Sequence, residues 1–249
     1  MNLSQRCNPF DMDSVQTSGL TGRTTFMIDP IKRQAPMKFP NLIFALFLVT
    51  ICTTGVVTAQ SFEGVIEFTK TTGPVSTTYK YYVKDDFVRI EELSEKGVIQ
   101  GIMLVDNANN SVTALSPERK LFMDVPNMRL PKEVEVKVEK TGITRELSGY
   151  NCEKWEVINT EADRKVIYWV ANDGFDFFLP LLKTLNRKDE QAVYFMEIPD
   201  ANGVFPMQGT ESKLGGSNIS TLQVQKITPS KMVDDLFRVP TGFTKFERN

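Results

Sequence analysis

The chain contains no histidine in 249 residues. That absence removes Ser-His-Asp and Cys-His catalysis, histidine-based zinc sites and imidazole proton transfer together. Cysteine is nearly as scarce. Cys7, Cys52 and Cys152 are the three present, and the first two precede a processing signal described below. Cys152 is then alone, so the domain that follows has no internal disulfide, thiolate zinc site or C-x-x-C redox pair. It has to be held by core packing. A lone thiol of this kind is expected as a buried small hydrophobe, with a reactive thiol or an intermolecular bridge as the alternatives. Also missing are a G-x-S-x-G elbow, a phosphate loop and a dinucleotide fingerprint, so no cofactor is implied. The Asp106–Asn110 loop lacks the Asp/Asn spacing and distal Glu of a calcium loop, and no metal site is expected.

An excess of positive charge is missing too. The whole chain carries 29 Lys and Arg against 31 Asp and Glu. The segment up to Ala59 holds Arg6, Arg23, Lys32, Arg33 and Lys38 against Asp11, Asp13 and Asp29, which leaves 24 against 28, a net charge of −4. A nucleic-acid partner needs a basic face to meet phosphates, and none is expected here. Long apolar runs are limited to one place. Met37-Lys38 supplies a positive n-region, Leu42 to Cys52 is uncharged and apolar, and Val57-Thr58-Ala59 has the small side chains a signal peptidase reads. Crossing a bilayer takes about 20 apolar residues, a length reached here only by counting several threonines. Cleavage after Ala59, with no transmembrane span in the mature form, is therefore favoured over an uncleaved anchor. A lipoprotein signal at Cys52 would want a small residue where Ile51 stands. The expected organisation is 1–36 as a wrongly assigned start or a disordered extension, 37–59 as signal peptide, and 60–249 as one domain, exported to the periplasm.

What is present from Phe62 onward is period-two patterning. Phe62, Gly64, Ile66 and Phe68 alternate with Glu63, Val65, Glu67 and Thr69. Val134, Val136 and Val138 alternate with charged residues, and Leu222 and Val224 alternate with Thr221, Gln223 and Gln225. Strands with one buried face read this way and favour antiparallel sheet. Further strands are expected at Thr77–Val83, Phe87–Leu93, Ile99–Val105, Ser111–Leu115, Lys120–Val125, Cys152–Asn159, Lys165–Val170, Ala192–Ile198 and Met207–Ser212. Asp106–Asn110, Asp200–Gly203 and Gly215–Asn218 are expected as hairpin loops. One segment departs from the pattern. Phe175–Leu185 reads as a helix capped by Asp173, with Phe178, Leu181, Leu182 and Leu185 at helical spacing. It is apolar around most of its circumference and must be covered on more than one side. A weaker helical turn is expected at Ser230–Leu236.

A single large amphipathic sheet must close, fold over, or curl around something. A curled sheet with Phe175–Leu185 packed into its mouth meets both needs, the sheet's and the helix's, so the expected fold is mainly β, one curled antiparallel sheet with one or two short helices on its concave face. Two outcomes stay open for that face. It is a filled core, or it is a cavity for an apolar ligand with Phe175, Phe178, Leu181, Leu182 and Leu185 as the lid and Trp155 and Trp169 as lining. Catalysis by carboxylates, Lys or Tyr stays formally open, but the pairs Asp85-Asp86, Glu91-Glu92 and Asp234-Asp235 are expected as solvated surface.

The opening Phe-Glu-Gly-Val-Ile-Glu-Phe strand resembles a known family, as do Gly149-Tyr150-Asn151-Cys152-Glu153-Lys154-Trp155 at mid-chain and the closing Phe237-Arg238-Val239-Pro240-Thr241-Gly242-Phe243. The family is one of exported bacterial proteins, a domain of unknown function, within the LolA/LolB-like superfamily. The likeness spans Phe62 to Phe246 and implies an unclosed β-barrel whose concave face is capped by helices. It also implies partners among lipids, acyl chains or envelope proteins, without catalysis. The export signal gives a first test. N-terminal sequencing of the exported protein is expected to begin at Gln60 or within a residue or two of it, and retention of Met37 to Ala59 would overturn the assignment.

Overall fold

The computed structural model describes residues 61–126 and 134–247. The expected signal peptide, its cleavage point and the segment before it lie outside the described residues. The elements in chain order are β1 (Gly64–Thr72), β2 (Val75–Lys84), β3 (Phe87–Leu93), β4 (Ile99–Asp106), β5 (Ser111–Ser116), β6 (Leu121–Asp124), β7 (Lys137–Leu147), β8 (Tyr150–Asn159) and β9 (Arg164–Asn172). There follow α1 (Phe178–Leu185), α2 (Glu190–Met196), β10 (Val204–Ser212), β11 (Asn218–Pro229), a 3-10 turn at Asp234–Phe237 and β12 (Thr244–Lys245).

These strands join one 12-stranded sheet in the order β12-β6-β5-β4-β3-β2-β1-β11-β10-β9-β8-β7. Pairing is antiparallel throughout, except that β12 runs parallel to β6. Among the described residues β7 does not pair with β6 or β12, so the sheet stays open. The expected alternation is present where the two faces differ. In β1, Gly64, Ile66 and Phe68 are buried while Val65 and Glu67 are not. In β9, Val166, Tyr168 and Val170 are buried, with half-exposed neighbours at Lys165, Ile167 and Trp169.

The sheet is strongly curled, and the packing of α1 demonstrates it. This helix packs against both β4 and β10, which stand five places apart in the strand order. In a flat sheet they would be roughly 24 Å apart at about 4.8 Å per strand. A helix of eight residues is only about 12 Å long. The strands must therefore wrap around the helix. Register breaks in the β1–β11, β3–β4, β7–β8, β9–β10 and β10–β11 pairs supply the added local twist.

Two sequence expectations are corrected here. Ala192–Ile198 is the helix α2 followed by a turn, not a strand. Ala192, Val193, Tyr194 and Phe195 are all buried, and a continuous apolar run of that length does not distinguish a strand from a helix. Asp189 decides it locally, since its side chain accepts from the Ala192 N–H at 3.2 Å as an N-cap. Consequently Asp200–Gly203 links α2 to β10 and is no hairpin. Asp106–Asn110 and Gly215–Asn218 do join β4 to β5 and β10 to β11.

The outer face carries a second, smaller core. Ile102, Leu104 and Leu115 pack there against Phe122, Val239 and Phe243. The closing Phe-x-x-Pro-x-Gly-Phe element is thus a strap across the sheet. Glu63 accepts from the Met232 N–H, Lys84 pairs with Asp234, and Phe87 packs on Phe237. Beneath it lies a further correction. Glu91 is not solvated surface but 5% exposed. It accepts from Arg89 at 2.7 Å and from the Tyr82 hydroxyl at 3.2 Å, and Arg89 in turn donates to the Leu236 carbonyl at 3.2 Å. Burying that carboxylate is tolerable because two donors replace its water.

Cys152 is fully enclosed and its thiol donates to the Tyr150 carbonyl at 3.4 Å. Burial pushes the thiol pKa up, away from the reactive thiolate. In the folded protein Cys152 is expected to resist thiol reagents, with labelling that follows unfolding in a denaturant series. Fast labelling under native conditions would contradict the packing at this position.

Candidate ligand-binding site

The segment Phe175–Leu185 is built differently at its start from what Asp173 suggests. Gly174 adopts a positive φ of 70°, and the chain then turns inward. The Phe175 N–H donates to the Gly203 carbonyl at 3.0 Å, and the Gly174 carbonyl accepts from the Phe62 N–H at 2.8 Å. Those bonds pin Phe175, which is wholly buried, within 5.1 Å of Phe62 and 5.4 Å of Phe205 (ring centroids). The helix begins only at Phe178, without a side-chain cap. Pro180 falls in its first turn, where a missing N–H costs nothing. Asn186 ends it in the left-handed region, its N–H donating to Leu182 O at 2.9 Å.

From Phe175 a chain of rings runs through the core. Phe178 lies 4.6 Å from Phe205 and 5.1 Å from Phe195, and Phe195 meets Tyr168 edge-on at 5.3 Å. Between these rings and the inner face of β1, β2, β9 and β10 is a crevice. Phe68, Tyr79, Tyr81 and Tyr168 line it from the sheet, and Phe178, Leu182, Leu185 and Phe195 from the helices. Its polar groups are Lys70, Arg187, Asp189 and Gln191. Lys70 and Asp189 form an ion pair at 2.8 Å, so the residue that caps α2 is also clasped to β1. Burial pushes the Tyr81 phenol up to about 12 and that of Tyr168 well beyond its usual value. Both are neutral hydroxyls at ordinary pH. Tyr168 uses its proton to bond the Gln191 carbonyl at 2.6 Å.

The residues expected from the sequence divide in three. Phe178, Leu182 and Leu185 line the crevice. Phe175 and Leu181 are fully buried core behind it. The two tryptophans are not part of it. Trp155 points to the inner face opposite Tyr168 but is covered by the Lys140 ammonium, 4.5 Å over its ring. Trp169 is the neighbour of Tyr168 in β9 and so points to the opposite face. The Arg145 guanidinium lies 3.8 Å over its ring there.

Sequence reasoning missed the polar anchor of α2. Gln191 Nε2 donates to Ser220 Oγ at 2.7 Å, and Ser220 Oγ donates to Glu211 at 2.7 Å. Arg164 approaches the other oxygen of Glu211 at 3.4 Å. All three members Gln191, Ser220 and Glu211 are buried. A signal existed in the sequence. Ser220 shares the inward register of Leu222 and Val224, so a polar side chain stands where the strand asks for an apolar one. Gly209 makes room for the anchor, since a Cβ there would lie 2.5 Å from Gln191 Oε1.

The family assignment rests on this same stretch of chain, since a family model described as "Domain of unknown function (DUF4412)" matches residues 62–243. The chain belongs to that family. No functionally curated protein matches it. Among solved structures, the DUF4412 domain is similar to an uncharacterized conserved protein from Thermus thermophilus, with a TM-score of 0.45, 10% identity, and coverage of 75% of this chain and 91% of that one. It is similar to the MucA/MucB complex structure from Pseudomonas aeruginosa, with a TM-score of 0.41, 11% identity, and coverage of 72% of this chain. The match spans 55% of that chain, about half its length. A putative outer membrane lipoprotein-sorting protein domain from Vibrio parahaemolyticus gives a TM-score of 0.29, 10% identity, and coverage of 70% and 87%. The open sheet with helices on its inner face is the architecture that the LolA/LolB-like resemblance implies.

The anchor of α2 has a direct test. Gly209→Ala is expected to expel Gln191 from its place and destabilise the domain by about 1–3 kcal/mol, the cost of stranding buried polar partners. Gln191→Ala is expected to cost a similar amount, and the double variant little more than either alone. Additive losses in denaturant unfolding would show that the two positions do not share one interaction.

Proposed function

We propose that this DUF4412 domain is a non-catalytic binding protein of the periplasm that takes an apolar chain, from a lipid or an envelope lipoprotein, beneath α1 and α2. The observation that carries the proposal is the construction of the crevice. Its walls are aromatic and aliphatic, its few polar groups converge at one side, and a partly exposed ion pair ties the roof to the sheet. Sites for small apolar ligands are built from these parts. The export signal read from the sequence supports the compartment, and the family resemblance supports the ligand class.

The volume sets the mechanism. The crevice encloses about 60 Å³, whereas ligand sites usually need about 300–1,000 Å³. An acyl chain therefore enters only as the helices move away from the sheet, replacing Leu182 and Leu185 in contacts they now make. The ligand can drive that movement only by its greater affinity for the open state. Asp189 and Lys70 are each partly exposed, so their pair is a weak clasp. The anchor through Gln191, Ser220 and Glu211 holds the start of α2. The start of α1 is held by apolar contact and by Asn107 Nδ2, which donates to the Phe177 carbonyl at 3.2 Å. The element proposed to open is accordingly α1 with the α1–α2 loop.

The same small volume favours a second reading, a structural or protein-interaction module of the envelope with a filled core. Two variants separate them. If the lid moves, Lys70→Met is expected to increase binding of a neutral apolar dye such as N-phenyl-1-naphthylamine. Leu182→Ala is then expected to cost less than about 2 kcal/mol, the lower end for a leucine fixed in a core, and likewise to raise dye binding. A loss of about 2–5 kcal/mol, with no dye bound by either variant or by the parent, would leave the filled module.

A further inference from the structure

The polar side of the crevice specifies more than an apolar chain. Lys70 and Arg187 bring two positive charges to it and Asp189 one negative charge, so the lining is net positive in a chain whose overall charge is −2. Asp189 is committed twice over, to the Lys70 ammonium at 2.8 Å and to the Ala192 N–H at 3.2 Å. Arg187 is half-buried beside the crevice. The groups it meets there are soft or neutral: Met103 Sδ at 3.9 Å and the Tyr79 hydroxyl. Glu92 stands across the ladder from Tyr79, yet among the described residues no carboxylate forms an ion pair with Arg187. A half-buried guanidinium that pairs with no carboxylate among the described residues has given up part of its hydration with little in return. Its planar fork of donors matches a carboxylate or a phosphate in two-point contact.

We infer that the ligand is an anionic amphiphile, an apolar chain ending in a carboxylate or phosphate, with Arg187 as the partner of that head group. This rests on the crevice being a ligand site, as proposed above, and names what it selects. The chain lies among Phe68, Phe178, Leu182 and Phe195, while the head group stays at the mouth between Arg187 and the Tyr79 hydroxyl. Lys70 adds long-range attraction, and becomes a second partner once the clasp to Asp189 opens.

Four amphiphiles with the same dodecyl chain test this on the folded protein, by displacement of N-phenyl-1-naphthylamine and by native mass spectrometry. They are dodecanoate, dodecyl phosphate, methyl dodecanoate and dodecyltrimethylammonium, used below their micelle concentrations. The two anions are expected to bind tighter than the ester by about tenfold or more, the usual worth of a charge-assisted hydrogen bond, and the cation weakest. Preference for one anion over the other assigns the head group as carboxylate or phosphate. Arg187→Gln is expected to abolish the difference between anion and ester. Equal affinity for anion, ester and cation in the parent protein would overturn the head-group inference and leave the apolar site standing. Failure of the dye and all four compounds to bind would overturn both. Retention of the full anion preference in Arg187→Gln would show that the selecting charge lies elsewhere.

Discussion

One sheet face has to be buried, and among the described residues two helices of eight and seven residues are there to cover it. Everything else in the domain follows from that shortage. A flat sheet of twelve strands would leave most of its apolar face in water, at about 25 cal/mol for each Å² exposed. The sheet instead curls until α1 touches β4 on one side and β10 on the other, and the rings of Phe62, Phe175, Phe178, Phe195 and Phe205 fill the space between. Aromatic side chains suit this role, because each buries a large area and pairs favourably edge-to-face with its neighbours. The helices hold the curl, and the curl gives the helices something to cover.

Such an arrangement is uneven in strength. α2 is fastened at its start by a buried network of Gln191, Ser220 and Glu211, which half-buried Arg164 approaches, and by the Tyr168 hydroxyl on the Gln191 carbonyl. α1 relies mostly on apolar contact. Apolar contact is strong but has no directional preference, so another apolar chain can take its place at little cost. Directional polar bonds, by contrast, are lost outright when their geometry breaks. α2 is therefore the more directionally fixed of the two, while α1 combines apolar packing with the bond from Asn107 to the Phe177 carbonyl and that from Thr184 to Asn110. The crevice lies between the two.

The outer face shows the opposite economy. There the closing segment lies across β2 to β6 and is tied at several separate points, from the Met232 N–H on Glu63 to β12 beside β6. Arg89 and Glu91 form a buried pair under it, aided by Tyr82. The strap gives the outer apolar residues Ile102, Leu104 and Leu115 a cover without adding a second sheet. The closing Phe-x-x-Pro-x-Gly-Phe element thus serves the half of the domain that faces away from the crevice.

The amino-acid order by itself determined the strands, because period-two patterning reports directly which face is buried. It also determined a mainly-β sheet and the helix that ends at Asn186 and carries Phe178, Leu182 and Leu185, while the open edge of the sheet was implied only by the family resemblance. It did not distinguish α2 from a strand, since a run buried on every side carries no period. Nor did it separate the two tryptophans, because facing is decided by register. The single-residue step from Tyr168 to Trp169 puts one ring inside and the other under Arg145. Only the tertiary structure brought Lys70 to Asp189, 119 residues away, and set Arg187 beside Tyr79. It also buried Glu91 beneath a strap that lies far along the chain. Those pairings depend on which strands become neighbours when the sheet curls, and no local pattern in the chain encodes that.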